Sequence, residues 1–175
     1  MVGWGMQRLV QLACPPQSPQ ELIDAVIASY NEIYTEECHL PGLIYPGLSN
    51  LLRELRAKGV RTAIISNKPE HQADALFHST FEGLLDVVWG HREGYPHKPD
   101  PTLALELVRS MDGRLLAYVG DSAVDLELGK NLGVPTIGVT WGTKNREELM
   151  ASGLAETLVD TSAELGAALL SHCNL

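Results

Sequence analysis

The chain has 175 residues, with 13 basic and 22 acidic side chains, a net charge of −9 and a pI near 5.0. That acidic balance disfavours nucleic acid or an anionic membrane as the main partner, while 45% hydrophobic and 20% charged residues fit one ordinary globular domain, alone or with a small appendage. Cys14, Cys38 and Cys173 are too few and too far apart for a disulfide framework or a zinc knuckle, which suits a reducing cytoplasm, and no apolar run reaches membrane-spanning length.

No basic segment precedes an apolar core at the N-terminus, so no signal peptide is expected. Met6, Leu9, Val10 and Ala13 instead recur at helical spacing within residues 4–14, and Pro15-Pro16 stops that helix. A second helix begins near Ser18-Pro19, and Leu22, Ile23, Val26, Ile27, Tyr30, Ile33 and Tyr34 give it an apolar stripe for helix packing that reaches toward Cys38. Leu40-Pro41-Gly42 and Tyr45-Pro46-Gly47 then break the chain. From Gly47 the pattern becomes an alternation. Helices are expected over Leu48–Leu55 with a stop at Lys58-Gly59, from Pro69 to about His78, from Pro101 to Ser110, over Arg146–Ala151 and over Ala163–Ser171. Strands are expected at Thr62–Ser66, Asp86–Trp89, Leu115–Val119, Pro135–Thr140 and, at an edge, Thr157–Asp160. Such an alternation predicts an α/β fold with a parallel sheet covered by helices on both faces.

Three strand ends carry polar residues. Ser66-Asn67-Lys68 offers a hydroxyl and backbone N–H groups before a helix, a setting that suits a phosphate or carboxylate oxygen, although a plain helix cap accounts for it as well. In His97-Lys98-Pro99-Asp100-Pro101, cap and first-turn chemistry accounts for Asp100 and Pro101 but not for the Lys98 ammonium, which is either a fixed cation facing an anion or a solvated loop lysine. In Gly120-Asp121-Ser122-Ala123-Val124-Asp125 the two aspartates stand one helical turn apart after the strand. Crowded carboxylates repel unless a cation or a proton joins them, so the pair reads as a Mg²⁺ corner or, more plainly, as a capping Asp followed by a surface Asp.

In this order the three signals resemble the haloacid dehalogenase-like hydrolase superfamily, closest to its phosphoglycolate phosphatase-like branch. Tyr45-Pro46-Gly47, Lys98-Pro99-Asp100-Pro101 and Val139-Thr140-Trp141-Gly142 support the likeness, and residues 3–10 look like the middle of that branch's helical cap. The resemblance implies residues 1–42 as a partial α-helical cap and 43–175 as a Rossmann-like core. It implies a Mg²⁺-dependent phosphomonoester hydrolase acting on a small phosphorylated metabolite. Ser66, with the Asn67 backbone, would bind the phosphoryl group, Lys98 would neutralise its charge, Asp121 would ligate Mg²⁺, and Asp125 would support the metal.

One departure from the family is severe. Its reaction uses an Asp nucleophile in an Asp-x-Asp-Gly-Thr loop, and none of the eight aspartates here lies two residues ahead of another. The likeness aligns Met1 inside the cap, as if from an internal start or a truncation. In the family that loop follows a central strand, between the strand ending at Ser66 and the one ending at Gly120. Its absence predicts two open sheet edges, a chain that is unstable, self-associating or completed by a partner segment, and no turnover by the covalent route. The alternatives are a non-catalytic phosphate-binding remnant or partner of a full-length relative, and a phospho-acceptor receiver domain. In receivers the acids precede the hydroxyl and the lysine, the reverse of the order here.

Overall fold

Helix and strand alternate from Leu48 onward in the computed structural model, which describes residues 5–37, 40 and 42–173. Parts of the expected first helix and cap segment (Met1, Gly3, Trp4), together with Cys38 and Pro41, lie outside the described residues. The elements are α1 (Met6–Ala13), α2 (Gln20–Glu37), α3 (Leu48–Ala57), β1 (Ala63–Pro69), α4 (Glu70–Phe81), β2 (Val87–His91), α5 (Thr102–Ser110), β3 (Tyr118–Gly120), α6 (Ala123–Leu132), β4 (Thr136–Val139), α7 (Arg146–Ser152), β5 (Thr157–Val159) and α8 (Ser162–Cys173). None of these helices is long and apolar enough to cross a membrane.

All strand pairs are parallel, in two pieces: β1 with β2, and β3–β4–β5 with β4 in the middle. The expected parallel sheet is therefore present, and so is its interruption between the strand carrying Ser66 and the one ending at Gly120. Exposure marks the interruption. Val119, in the middle of β3, is 38% exposed, Ala63 of β1 is exposed, and Ile64 and Ile65 are only half-buried. Strands of a covered parallel sheet are normally buried on both faces, so these residues lie where a neighbour is lacking.

Helices cover both faces of the larger piece. Successive side chains of a strand point to opposite faces. Ile137 and Val139 of β4 join Leu51 and Leu55 of α3, Val159 of β5 and Leu165 of α8 in one cluster. The intervening Gly138 faces α6, where an added Cβ would stand 3.5 Å from Leu126. Leu126, Leu128 and Ile137 are fully buried, each worth about 1.5–3 kcal/mol of transfer free energy. This packing holds the head of α6 at the end of β3.

Local chemistry accounts for most boundaries. Gly133 ends α6 with a left-handed φ of 68°, and Asn145 and Glu148 form a reciprocal capping box at the start of α7. The central strand differs from expectation: residues 115–117 make no ladder, and β3 starts only at Tyr118. Its single neighbour β4 pairs with Tyr118 to Gly120 alone, so the apolar Leu115-Leu116-Ala117 run has nothing to pair with. Pro69 closes β1 rather than opening α4, and Pro101 sits ahead of α5. The apolar stripe of α2 also packs less than expected. Only Ile23 is buried, while Leu22, Val26 and Ile33 stay exposed, because α1 is the helix packed along it.

Candidate active site

Lys98 is the residue that brings the three strand ends together. Its Nζ donates to the Ile65 carbonyl of β1 at 3.0 Å and to Asp125 Oδ1 at the head of α6 at 2.7 Å. It thereby spans the break in the sheet. The side chains of Lys98 and Asp125 are 12% and 11% exposed, so this ion pair is largely shielded from water. The loop that carries Lys98 is held by an amide exchange that the sequence did not reveal. Asn67, buried at the end of β1, accepts the Lys98 N–H on Oδ1 at 2.8 Å and donates Nδ2–H to the Lys98 carbonyl at 3.2 Å. Asn131 of α6 donates to the Pro99 carbonyl at 2.9 Å. Ser66 completes this end of β1: its Oγ accepts the Lys68 N–H at 3.2 Å, an interaction that does not use the hydroxyl's own proton.

Asp125 is more fully engaged than a surface helix residue would be. Besides Lys98, Oδ1 accepts from the Tyr118 hydroxyl at 3.3 Å, and Oδ2 accepts from the Ser122 hydroxyl at 2.6 Å. Burial alone would push its pKa up. The Lys98 charge, with hydrogen bonds involving Lys98, Ser122 and Asp121, outweighs burial and holds the carboxyl below the usual range. Burial and the facing Asp125 push the Tyr118 phenol the other way, well above 10, so it stays a neutral donor. Ser122, not Asp121, caps α6, its Oγ receiving the Asp125 N–H.

That frees the Asp121 carboxylate from capping. Oδ2 receives the Thr143 N–H at 2.6 Å, and the loop after β4 fits tightly around it: a Cβ added at Gly142 would stand 2.2 Å from Asp121 Cβ. Gly120 is required in the same way, since a Cβ there would stand 2.1 Å from Asp125 Cβ. The two carboxyl groups are thus each seated against a glycine, Asp121 by Gly142 and Asp125 by Gly120, at neighbouring ends of β4 and β3. This donor set fits a hard cation that keeps most of its own water, as Mg²⁺ does with one or two carboxylates. No group of three or more acidic, His or Cys side chains that could hold a metal ion occurs among the described residues, so these would supply at most that pair.

Two further features border the corner. His97, next to Lys98, stacks on His91 with ring centroids 3.7 Å apart; burial, then the neighbouring His91, lowers its pKa. Beyond Gly142 lies a groove of about 530 Å³ lined by Leu43, Tyr45, Pro46, Phe81 and Trp141, with the Tyr45 and Trp141 rings stacked at 4.4 Å. The groove lining has no carboxylate, imidazole or ammonium, in contrast to the Lys98–Asp121–Asp125 corner.

Sequence and fold comparisons identify the family. The family model described as haloacid dehalogenase-like hydrolase matches residues 1–139, and the chain belongs to that family. Its relatives include the protein named Probable phosphatase IndB of Dickeya dadantii (31% identical, covering 88% of this chain and 68% of the relative). They also include the phosphoglycolate phosphatase of Pseudomonas putida (31% identical, covering 94% and 63%). A crystal structure of a candidate phosphoglycolate phosphatase from Lactobacillus delbrueckii subsp. bulgaricus superposes with a TM-score of 0.81 at 30% identity, covering 89% of this chain and 65% of that one. The chain therefore spans roughly two thirds of the length of these relatives.

Proposed function

We propose that the corner binds the phosphoryl group of a small phosphomonoester together with Mg²⁺, as part of a phosphatase site of the phosphoglycolate phosphatase type. The observation that supports this most directly is the Lys98 bridge from Ile65 to Asp125, which sets an ammonium between a hydroxyl-bearing strand end and a carboxyl pair. Ser66 donates its proton to a phosphoryl oxygen. Lys98, with two of its three protons engaged among the described residues, offers the third to the same anion, and Asp125 keeps the ammonium fixed. Asp121, with Asp125 beside it, would hold Mg²⁺, which when bound neutralises charge on the phosphoryl oxygens. Phosphoryl transfer asks chiefly for this positioning and neutralisation.

These 175 residues contain no Asp-x-Asp pair, so they supply the binding half of the reaction and not its nucleophile. In this reading residues 1–42 are a partial cap over a 43–175 core. The scarcity of cysteine supports a cytoplasmic setting, and the open edges of β1 and β3 support association with another chain. The same missing pair also fits a non-catalytic phosphate-binding partner of a longer relative.

Calorimetric titration with inorganic phosphate in the presence of Mg²⁺, alongside an assay on p-nitrophenyl phosphate, tests the reading. Binding without phosphate release is expected, and Asp121→Asn should abolish the binding. Absence of binding in the folded wild-type chain refutes the site. Phosphate release that Asp121→Asn abolishes refutes the claim that the chain lacks its nucleophile.

A further inference from the structure

The α1–α2 pair meets the rest of the molecule beside the Ser66 strand end, through a seam that is polar where helix contacts are normally apolar. Asn31, Tyr34 and Thr35 are spaced i, i+3, i+4 on α2 and so share a face. Opposite them stand Lys68, at the end of β1, and His71 and Gln72 in the first turn of α4. Gln72 is 1% exposed, and its side-chain amide donates to Asn31 Oδ1 and to Thr35 Oγ1, both at 3.4 Å. The Thr35 hydroxyl lies 3.4 Å from His71 Nε2. The Lys68 ammonium lies 4.5 Å from the centre of the Tyr34 ring. On the other side of the site, α1 begins against His97, whose ring a Cβ at Gly5 would approach to 3.4 Å. The helix pair therefore touches the core at both of the strand-end loops that carry the anion-binding groups.

We propose that Lys68 is a positioning residue that couples the seating of α2 to the anion-binding end of β1. Its backbone N–H holds the Ser66 Oγ, and its ammonium holds the Tyr34 ring, so one residue reaches both the phosphoryl-facing hydroxyl and the helix above it. The seam is suited to opening and closing. Long hydrogen bonds between neutral groups can be exchanged for water at little net cost, whereas an apolar seam would lose its burial on opening. Asn31, Thr35 and Gln72 define where α2 sits. Lys68 makes that seat sensitive to what happens at Ser66, because an anion that orders the Ser66–Lys68 turn also fixes the base of the lysine side chain. Only this ligand coupling rests on the phosphate-site reading above; the seat itself does not.

Hydrogen exchange of the α2 amides in the full chain, with and without inorganic phosphate and Mg²⁺, tests the proposal. In Lys68→Met, which keeps the stem and removes the charge, ligand-free exchange across α2 should rise about two- to fivefold, the equivalent of one exposed cation–π contact. Phosphate should slow α2 exchange in the wild type and in Lys68→Arg, and fail to do so in Lys68→Met. Tyr34→Leu removes the same contact from the other side and serves if Lys68→Met does not fold. Unchanged α2 exchange in a folded Lys68→Met or Tyr34→Leu overturns the seat. Phosphate that binds Lys68→Met and still slows α2 as in the wild type overturns the coupling. If the wild type binds no phosphate, the phosphate-site reading and the coupling fall together, and the ligand-free arm still decides the seat.

Discussion

Replacing Gly120 by alanine should break the Lys98–Asp125 pair without touching either residue. The added Cβ would lie 2.1 Å from Asp125 Cβ and 2.8 Å from its Cγ. Carbon atoms in contact need about 3.5 Å, so the Asp125 side chain must retreat by more than about 1 Å. The Lys98 Nζ to Oδ1 distance of 2.7 Å then leaves hydrogen-bonding range, and the 2.6 Å bond from Ser122 is displaced with it. Breaking a buried pair by removing one partner costs about 3–5 kcal/mol, and a displaced partner that keeps some contact with water costs less, about 2–4 kcal/mol. For a chain of this length that corresponds to a fall in melting temperature of roughly 5–15 °C. The comparison variant is Gly133→Ala, where nothing lies within 4 Å of the new Cβ and only the left-handed φ of 68° is penalised, by about 1 kcal/mol. Thermal melts of the two variants at neutral pH read the difference. A Gly120→Ala melt no lower than that of Gly133→Ala refutes the claim that Asp125 is locked between Gly120 and Lys98.

Asn67→Ala should loosen the Lys98 loop through loss of its two main-chain bonds, at about 1–3 kcal/mol. A denaturant melt that barely moves would show that the amide exchange adds nothing. The acid limb of stability should reverse in Lys98→Met. In the wild type the folded Asp125 pKa is depressed, so its contribution is present above the ordinary carboxylate range near 4 and is lost as pH falls through the lower folded value. Without the ammonium, burial dominates and raises the folded pKa, so acidification from pH 7 toward 4 should raise the stability of the variant. Parallel pH–stability profiles for the two proteins would refute this.

The candidate site is legible in the sequence as residue types and their order along the chain. Lys98 alone is of a type that caps and turns do not account for, whereas a cap accounts equally for Ser66 or Asp121 and a helix surface for Asp125; the structure brings Lys98 and Asp125 into contact. What the sequence hid is how they are held. The Asn67 side chain reaches a loop 31 residues away, the Thr143 N–H reaches Asp121 across 22 residues, and Tyr118 serves Asp125 from within a strand whose apolar pattern reads as core. These are long-range contacts with no local signature. The same holds for β3. Its apolar run extends to Leu115, but a strand exists only where a neighbour bonds to it, and β4 reaches only Tyr118 to Gly120.

The proposed phosphate site also has to reconcile an anionic ligand with a net charge of −9. Asp121 and Asp125 bring two negative charges and Lys98 one positive, so the corner by itself carries about −1 and repels a phosphate dianion. Lys98 cannot reverse that sign, because its charge is already committed to Asp125 at 2.7 Å. A divalent cation on the carboxyl pair changes the balance to about +1, and only then do the Ser66 hydroxyl and the remaining Lys98 proton face an anion they can hold. Phosphate affinity should therefore depend on Mg²⁺ and vanish in chelator, with Mg²⁺ binding alone but phosphate not. Titrations in either order distinguish this from a simple cationic pocket. Phosphate that binds equally well in chelator would mean that Lys98 and the strand-end N–H groups suffice and that the acid pair serves only to orient the lysine.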